Sequence, residues 1–193
     1  MFEKSILKKE INDLPLFKYE GKIVIAATEK QIDKAVFEIE KHDLVGFDTE
    51  TKPAFKKGQF NHVALIQVAA PNKVYLLRIH QIGITISLLK FLSNDKITKI
   101  GIALDDDLIA LNRKRKFEPR GFIDLNKIAP TLGIENIGAR NLSALLLNSR
   151  ISKNQQVSNW ENPSLTEPQI RYAATDAWIC LEMYNRLKQW GYI

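Results

Sequence analysis

The fold of this chain is decided by the stretch Leu44-Val45-Gly46-Phe47-Asp48-Thr49-Glu50, a short apolar run that ends in two carboxylates. An apolar run of this length, bounded by polar residues, is typical of a buried β-strand. Because side chains alternate along a strand, Asp48 and Glu50 point to one face and Thr49 to the other. Two carboxylates on one face repel each other unless a cation or a shared proton compensates. The pair therefore indicates either a metal site or a solvated strand end that enters a loop.

Outward from this stretch, strand patterns alternate with helix patterns. Thr28, with Gln31 three residues later, predicts the start of a helix that follows a strand over 22–27. Apolar runs over 63–69 and 73–77 flank a Pro-Asn turn signal and predict an antiparallel hairpin. A hairpin beside strands that helices separate predicts an α/β fold, with helices packed on a mixed sheet. The remaining predicted elements are helices over 84–92, 106–111, 141–147 and 166–189, and strands over 97–103 and 121–125. Thr166 is the expected N-cap of the last helix.

A second group of acids follows the predicted strand 97–103 and comprises Asp105, Asp106 and Asp107. Acids in the first turn of a helix cap its free N–H groups and suit its dipole, which is the simplest interpretation here. Three acids in a row exceed what a cap requires. Composition alone does not say which of them has another role.

A third acid lies in the last predicted helix, where Tyr172 and Asp176 share one face at positions i and i+4. Taken alone, the pair is also compatible with a buried tyrosine whose hydroxyl bonds a buried carboxylate. If the acids of all three groups converge, they would bind two divalent cations about 3.5–4 Å apart, an arrangement suited to phosphodiester cleavage. Hard oxygen ligands favour Mg²⁺ or Mn²⁺ over zinc.

The composition is that of an ordinary globular protein with a formal net charge of +6. A basic balance is compatible with a polyanionic partner. The lone cysteine, Cys180, excludes an internal disulfide and predicts a small buried core residue. No signal peptide or long apolar run is apparent, so we expect no membrane association and a cytoplasmic location.

The acidic segments resemble the exonuclease motifs of the DEDD superfamily, in the form found in RNase D and Werner-type 3′→5′ exonuclease domains. The first motif is similar to Gly46-Phe47-Asp48-Thr49-Glu50, and the third to Tyr172-Ala173-Ala174-Thr175-Asp176. The Tyr-x-x-x-Asp form marks the tyrosine subclass. The likeness covers about residues 22–190, which leaves 1–21 as an N-terminal extension.

The second motif of the family is similar to the segment from Lys99 to Asp107, which Leu111 follows. The family places its acid four residues before that apolar position. This spacing selects Asp107, with Asp106 as the alternative if the register is shifted by one residue.

The resemblance implies a ribonuclease-H-like α/β fold, a mixed β-sheet flanked by helices, in a single exonuclease domain over 1–193. It also implies an enzyme that uses two divalent cations, Mg²⁺ or Mn²⁺, to release nucleoside 5′-monophosphates from 3′ ends. In the roles it implies, Asp48 bridges both cations, while Glu50 and Asp176 hold the one that activates water. Asp107 serves the second cation, and Tyr172 orients the attacking water.

The resemblance also points to residues that contact nucleic acid at the 3′ end. These are Thr49, Lys52, Phe55 and Lys57 in and after the first motif, and Lys153 near a family lysine. The chain ends about where the last exonuclease helix ends, without the C-terminal helical domains of RNase D. We therefore expect DNA to be slightly favoured over RNA, and a stand-alone domain or one whose specificity comes from a protein partner. The alternatives are RNase D-like processing of RNA 3′ ends and a non-catalytic nucleic-acid-binding module on the same fold.

Overall fold

A computed structural model describes residues 3–54, 56 and 60–193. The sheet contains β1 (Lys22–Ala26), β2 (Leu44–Thr51), β3 (Val63–Ala70), β4 (Lys73–Arg78), β5 (Thr98–Gly101) and β6 (Phe122–Asp124). The helices are α1 (Lys8–Asp13), α2 (Glu29–Ile39), α3 (Ile86–Leu92), α4 (Leu104–Lys114), α5 (Leu125–Ile128), α6 (Ala139–Leu147) and α7 (Glu167–Gln189).

The strands form one mixed sheet in the order β1-β4-β3-β2-β5-β6. The predicted hairpin is confirmed, because β3 pairs antiparallel with both β4 and β2. The other pairs, β1 with β4, β2 with β5 and β5 with β6, are parallel. The α/β class predicted from the alternation of strands and helices is thus the observed one, and it places β2 near the middle of the sheet.

The two faces of β2 pack against different helices. Val45 and Phe47 are fully buried in a core that includes residues of α2, α3 and α4. Gly46, on the opposite face, lies under α7, where an added Cβ would stand 2.0 Å from the Ala177 carbonyl oxygen. The absence of a side chain at Gly46 therefore lets α7 approach the face that carries Asp48 and its strand neighbours.

Helix starts were predicted well where the cap is local. Thr28 and Thr166 each accept a hydrogen bond from the backbone N–H three residues later, as expected. The expectation that the acids after β5 cap α4 is wrong. The Asp124 carboxylate, at the end of β6, accepts hydrogen bonds from the backbone N–H groups of Ala103 (2.9 Å) and Leu104 (3.0 Å). This distant cap leaves the side chains of the first turn of α4 available for other contacts.

The N-terminal segment 3–21 packs along the ends of α6 and α7, and its short helix α1 was not predicted from the sequence. Phe17 donates its backbone N–H to the Arg150 carbonyl (2.8 Å). Tyr19 donates its backbone N–H to the Thr175 hydroxyl (3.0 Å), and its ring lies against Trp178. Within the part of the chain that the structure describes, no helix combines the length and apolar character needed to cross a membrane.

Candidate active site

Three carboxylates meet where β2 passes under α7. Asp48 and Glu50 come from β2 and Asp176 from α7, and each offers an oxygen within 4.8 Å of the others. The first two share a face because they are two residues apart on a strand. The third reaches them because α7 lies close over Gly46. The predicted convergence of the first and third motifs is therefore observed.

The electrostatics of this cluster are dominated by burial and by like charge. Burial raises the pKa of Asp48 well above its ordinary value, and the charges of Asp176, Asp107 and Glu50 raise it further. Burial and the neighbouring acids also raise the pKa of Glu50 to about 9. Burial raises the pKa of Asp176 to about 7, although its hydrogen bond with Tyr172 opposes this. Without a cation, these carboxyls favour their protonated forms.

A divalent cation fits this donor set. Among ion pairs between described residues, none involves Asp48, Glu50 or Asp176. Buried carboxylates are normally paired or coordinate a metal. The three acids have oxygen donors close together and no basic ion-pair partner among the described residues, so they are the residues that would hold such an ion.

Asp107 approaches the cluster from the other side of the sheet. It lies in the first turn of α4, where the Thr49 hydroxyl donates a hydrogen bond to its Oδ1. Thr49 therefore does point away from Asp48 and Glu50, as strand alternation predicts. Burial raises the pKa of Asp107 to about 6 against this hydrogen bond. Its charge in turn raises the pKa of Asp48 and Glu50, so Asp107 borders the cluster without belonging to the close triad.

The neighbours of Asp107 on α4 face solvent. Asp105 is exposed and pairs with Lys127 at 2.6 Å. Asp106 is also exposed. Of the three consecutive acids, only Asp107 is partly buried, which supports the family register over the shifted one. Its role as a metal ligand stays a prediction.

Tyr172 borders the acids from the preceding turn of α7. Burial raises the pKa of its hydroxyl far above the ordinary value, and the charges of Asp176, Glu50 and Asp48 add to the effect. The phenol therefore keeps its proton at neutral pH and serves as a hydrogen-bonding group rather than a base. Its ring packs 6.1 Å from the fully buried Trp160, which fixes the side chain.

The residues predicted to contact nucleic acid differ in their surroundings. Lys52 forms an ion pair with Glu161 (3.4 Å) at the rim, and the Thr49 hydroxyl is engaged by Asp107. Lys153 is exposed and lines a cavity that contains Asp48 and Asp176. The remaining two, Phe55 and Lys57, lie outside the described residues. The contacts of these residues with nucleic acid stay predictions.

Two residues near the site were not singled out from the sequence. Asp124 caps α4 and lies close enough to raise the pKa of Asp107. Gln67 lies directly opposite Asp48 in the β2–β3 ladder and is fully buried, with no hydrogen-bond partner for its amide among the described residues. The available signal for Gln67 was its position as the one polar residue in the apolar run 63–69.

Comparisons with known proteins agree that this chain is similar to 3′-5′ exonucleases. A family model described as 3′-5′ exonuclease matches residues 23–190. The mouse bifunctional 3′-5′ exonuclease/ATP-dependent helicase WRN is 30% identical over 201 aligned residues, which cover 98% of this chain and 14% of the mouse protein. The chain thus spans only a small part of that relative.

Solved structures show the same fold at lower sequence identity. The crystal structure of the Aedes aegypti Nibbler EXO domain superposes with a TM-score of 0.81 at 22% identity, covering 90% of this chain and 91% of that one. Escherichia coli RNase D, an exoribonuclease involved in structured RNA processing, gives a TM-score of 0.75 at 21% identity, covering 89% of this chain and 47% of that one. These likenesses confirm the ribonuclease-H-like arrangement of a mixed sheet flanked by helices.

Proposed function

This chain belongs to the 3′-5′ exonuclease family, and from that premise we propose that it hydrolyses nucleic-acid phosphodiesters from the 3′ end and releases nucleoside 5′-monophosphates. The observation that carries the proposal is the partly buried triad of Asp48, Glu50 and Asp176, whose oxygens lie within 4.8 Å of one another. Such a group of unpaired acids destabilises the fold unless a cation offsets its repulsion. These acids are therefore better explained by a role in metal binding and catalysis than by a role in stabilising the fold.

The triad, with Asp107 at its border, would hold two Mg²⁺ or Mn²⁺ ions. Oxygen-only donors favour these hard cations. When bound, such cations stabilise the charge on the attacking and leaving oxygens of a phosphodiester. Thr49 holds Asp107 by a hydrogen bond, so this acid is oriented before any ligand arrives.

Tyr172 is the group that positions water. Its raised pKa keeps the proton on the phenol oxygen, which can both donate and accept a hydrogen bond. Its link to Asp176 directs that oxygen to the acidic cluster. A phenol of this kind orients a water molecule but does not remove its proton.

The substrate that we favour slightly is DNA. This preference rests on the Werner-type likeness of the chain, 98% of which aligns with a mouse protein named as both an exonuclease and a helicase. The second candidate is RNA, because the fold is shared with E. coli RNase D, an exoribonuclease involved in structured RNA processing. A non-catalytic nucleic-acid-binding module is disfavoured, because all four acids and the tyrosine of the motifs are present.

The decisive experiment uses the purified chain, Mn²⁺ and matched DNA and RNA oligonucleotides labelled at the 5′ end. We expect a ladder that shortens from the 3′ end and the release of mononucleotides. Asp48→Asn should remove the activity, whereas Asp105→Asn, which alters an exposed ion pair, should keep it. Intact oligonucleotides of both kinds would show that the proposal is wrong.

A second pair of variants distinguishes between Asp107 and Asp106 as the acid of the second motif. Asp107→Asn should lower kcat by about 10²-fold or more if this acid supports a metal ion. Asp106→Asn should act like wild type because this residue is exposed. The opposite result would assign the role to Asp106.

Calorimetric titration with Mn²⁺ tests the non-catalytic alternative, which predicts no second bound ion.

A further inference from the structure

The cleft beside the acidic cluster has a second wall that is basic. A cavity of about 410 Å³ is lined by Asp48 and Asp176, and also by Lys8, Arg140 and Lys153. Lys8 belongs to α1, outside residues 23–190 that the family model matches. The N-terminal segment therefore contributes a cation to the same space that the acids occupy.

The helix that carries Lys8 is held firmly against this cavity. Ile11, on the same helix, is fully buried. The Arg140 guanidinium donates a hydrogen bond to the Asn12 side chain, which joins α1 to α6. Just before α1, the Ile6 backbone N–H bonds the Asn136 side chain (3.0 Å). Lys8 and Arg140 are thus presented together by one packed unit rather than by a free tail.

The same segment continues along the cleft. A neighbouring cavity of about 330 Å³ is lined by Leu16, Phe17 and Lys18, and it shares Tyr172 and Asp176 with the first. Residues from both ends of the N-terminal segment therefore border the space around the acids.

The basic residues on this wall have no anionic ion-pair partner in the part of the chain that the structure describes. Among ion pairs between described residues, none involves Lys8, Arg140 or Lys153. The hydrogen-bond partner of Arg140, an asparagine oxygen, is neutral. The two carboxylates in the cavity belong to the cluster that fits a metal ion, so they do not neutralise these cations. Arginine and lysine that face a cleft in this way suit phosphate groups.

We infer that Lys8 and Arg140 bind the sugar-phosphate backbone of the substrate strand on the 5′ side of the scissile phosphate. This inference rests on the proposed function, because the reacting end is then held at Asp48 and Asp176. The N-terminal segment is accordingly part of the substrate cleft. The occupant is a single strand, whose successive phosphates reach beyond the acids to the basic wall.

The first test measures how salt affects binding of a fluorescein-labelled oligothymidylate, by anisotropy, with Ca²⁺ replacing Mg²⁺. Each phosphate contact on a single strand contributes about 0.7 to the slope of log Kd against log salt. Lys8→Gln and Arg140→Gln should each reduce the slope by about 0.7, and weaken binding about 5- to 10-fold near 50 mM salt. Lys9→Gln is the matched control, since Lys9 lies on the same helix but does not line the cavity.

The second test separates backbone binding from chemistry. The p-nitrophenyl ester of thymidine 5′-monophosphate carries no upstream phosphate, so Lys8→Gln should hydrolyse it like wild type. With an oligonucleotide, the same variant should show a raised KM and an unchanged kcat. Lys8→Arg should restore KM, because it keeps the charge, and equal thermal unfolding midpoints would show that the variants are folded.

The outcomes are distinct for the two proposals. Salt slopes for Lys8→Gln and Arg140→Gln that equal those of wild type and Lys9→Gln would overturn the inference, and would show that these cations are merely solvated. Hydrolysis by wild type would in that case still uphold the exonuclease proposal. If wild type hydrolyses neither substrate while the slopes fall as expected, the exonuclease proposal fails and the backbone contact stands.

Discussion

Two regions of this protein hold charged side chains away from solvent, and only one of them supplies hydrogen-bond partners for the charge. Lys99, on β5, is 0% exposed, and its ammonium donates to the carbonyls of Phe91 (3.2 Å), Asn94 (2.7 Å) and Ile97 (2.9 Å). Asp48, Glu50 and Asp176 are partly buried and bring like charges together, without a basic partner among the described residues. A buried charge whose hydrogen bonds are satisfied is a structural feature, whereas a cluster of unpaired acids indicates a ligand.

The environment of Lys99 also includes two aromatic rings. Its Nζ lies 5.1 Å from the centre of the Phe91 ring and 5.0 Å from that of Phe122, distances suited to cation–π attraction. Burial nevertheless lowers the pKa of Lys99 to about 8. The lysine therefore remains charged at neutral pH and ties the end of α3 to β5.

The largest difference between the two regions is expected at Asp48, where a substitution should remove activity without lowering stability. Asp48→Asn should lower kcat/KM by about 10³-fold or more, because it removes a metal ligand and the transition-state stabilisation that depends on it. The same change relieves like-charge repulsion, so the thermal unfolding midpoint without metal should stay equal or rise. Exonuclease assays with Mn²⁺ and thermal melts in EDTA would test both parts. A variant that loses stability together with activity would mark Asp48 as structural.

At Lys99 we expect the reverse pattern. Lys99→Ala should destabilise the fold by about 3 kcal/mol, because it leaves three buried carbonyls without a donor and opens a cavity. The activity of the folded fraction should be unchanged. Urea unfolding measures the first effect, and activity per folded molecule the second. Lys96→Ala, a change at an exposed lysine just before β5, is the matched control.

Divalent cations should stabilise the folded protein by binding at the acidic cluster, and should not act through Lys99. At about 100 times its Kd, Mn²⁺ should add about 2.7 kcal/mol to the free energy of unfolding of wild type, through binding to the folded state alone. Asp48→Asn should lose most of this gain, and Lys99→Ala should keep it. The free energy of unfolding, measured with and without Mn²⁺, decides between these outcomes. An equal gain in all three proteins would place the ion elsewhere.

A further prediction concerns the pH dependence of stability without metal. Glu50 has a folded pKa of about 9, above its ordinary 4.5, so the folded state binds more protons than the unfolded state between these values. Its stabilising contribution is complete below pH 4.5 and is lost as the pH rises through about 9. Lys99, with its lowered pKa, should act oppositely, adding stability between about pH 8 and 10.5.

Urea unfolding in EDTA across this pH range would measure both effects. Glu50→Gln should flatten the decline between pH 5 and 9, and Lys99→Met should remove the rise above pH 8. An unchanged profile for Glu50→Gln would show that this acid is not the group responsible.

Several features of the fold and the candidate site were readable from short stretches of sequence. Alternation on β2 placed Asp48 and Glu50 on one face and Thr49 on the other. Thr28 and Thr166 marked helix starts because their caps act over three residues. Such features depend on neighbours in the chain, so local pattern suffices to predict them.

Other features depended on residues far apart in the chain and were missed. The cap of α4 comes from Asp124, some twenty residues later, so the capping role expected for the acids of its first turn was wrong. The short helix α1 has too few residues for a periodic pattern, and it is held by contacts with α6. The partnership of Lys52 with Glu161 likewise joins distant segments.

The sequence by itself determined the order of the strands and of the longer helices, the acidic motifs and the residue types that suit a divalent cation, because these follow from local alternation, spacing and donor chemistry. The tertiary structure alone decided that α7 lies close enough over Gly46 to bring Asp176 to β2. It also turned Asp107 rather than its neighbours to the site, and set Lys8 across the cleft from the acids. Packing between distant elements sets these positions, and no short-range pattern encodes it.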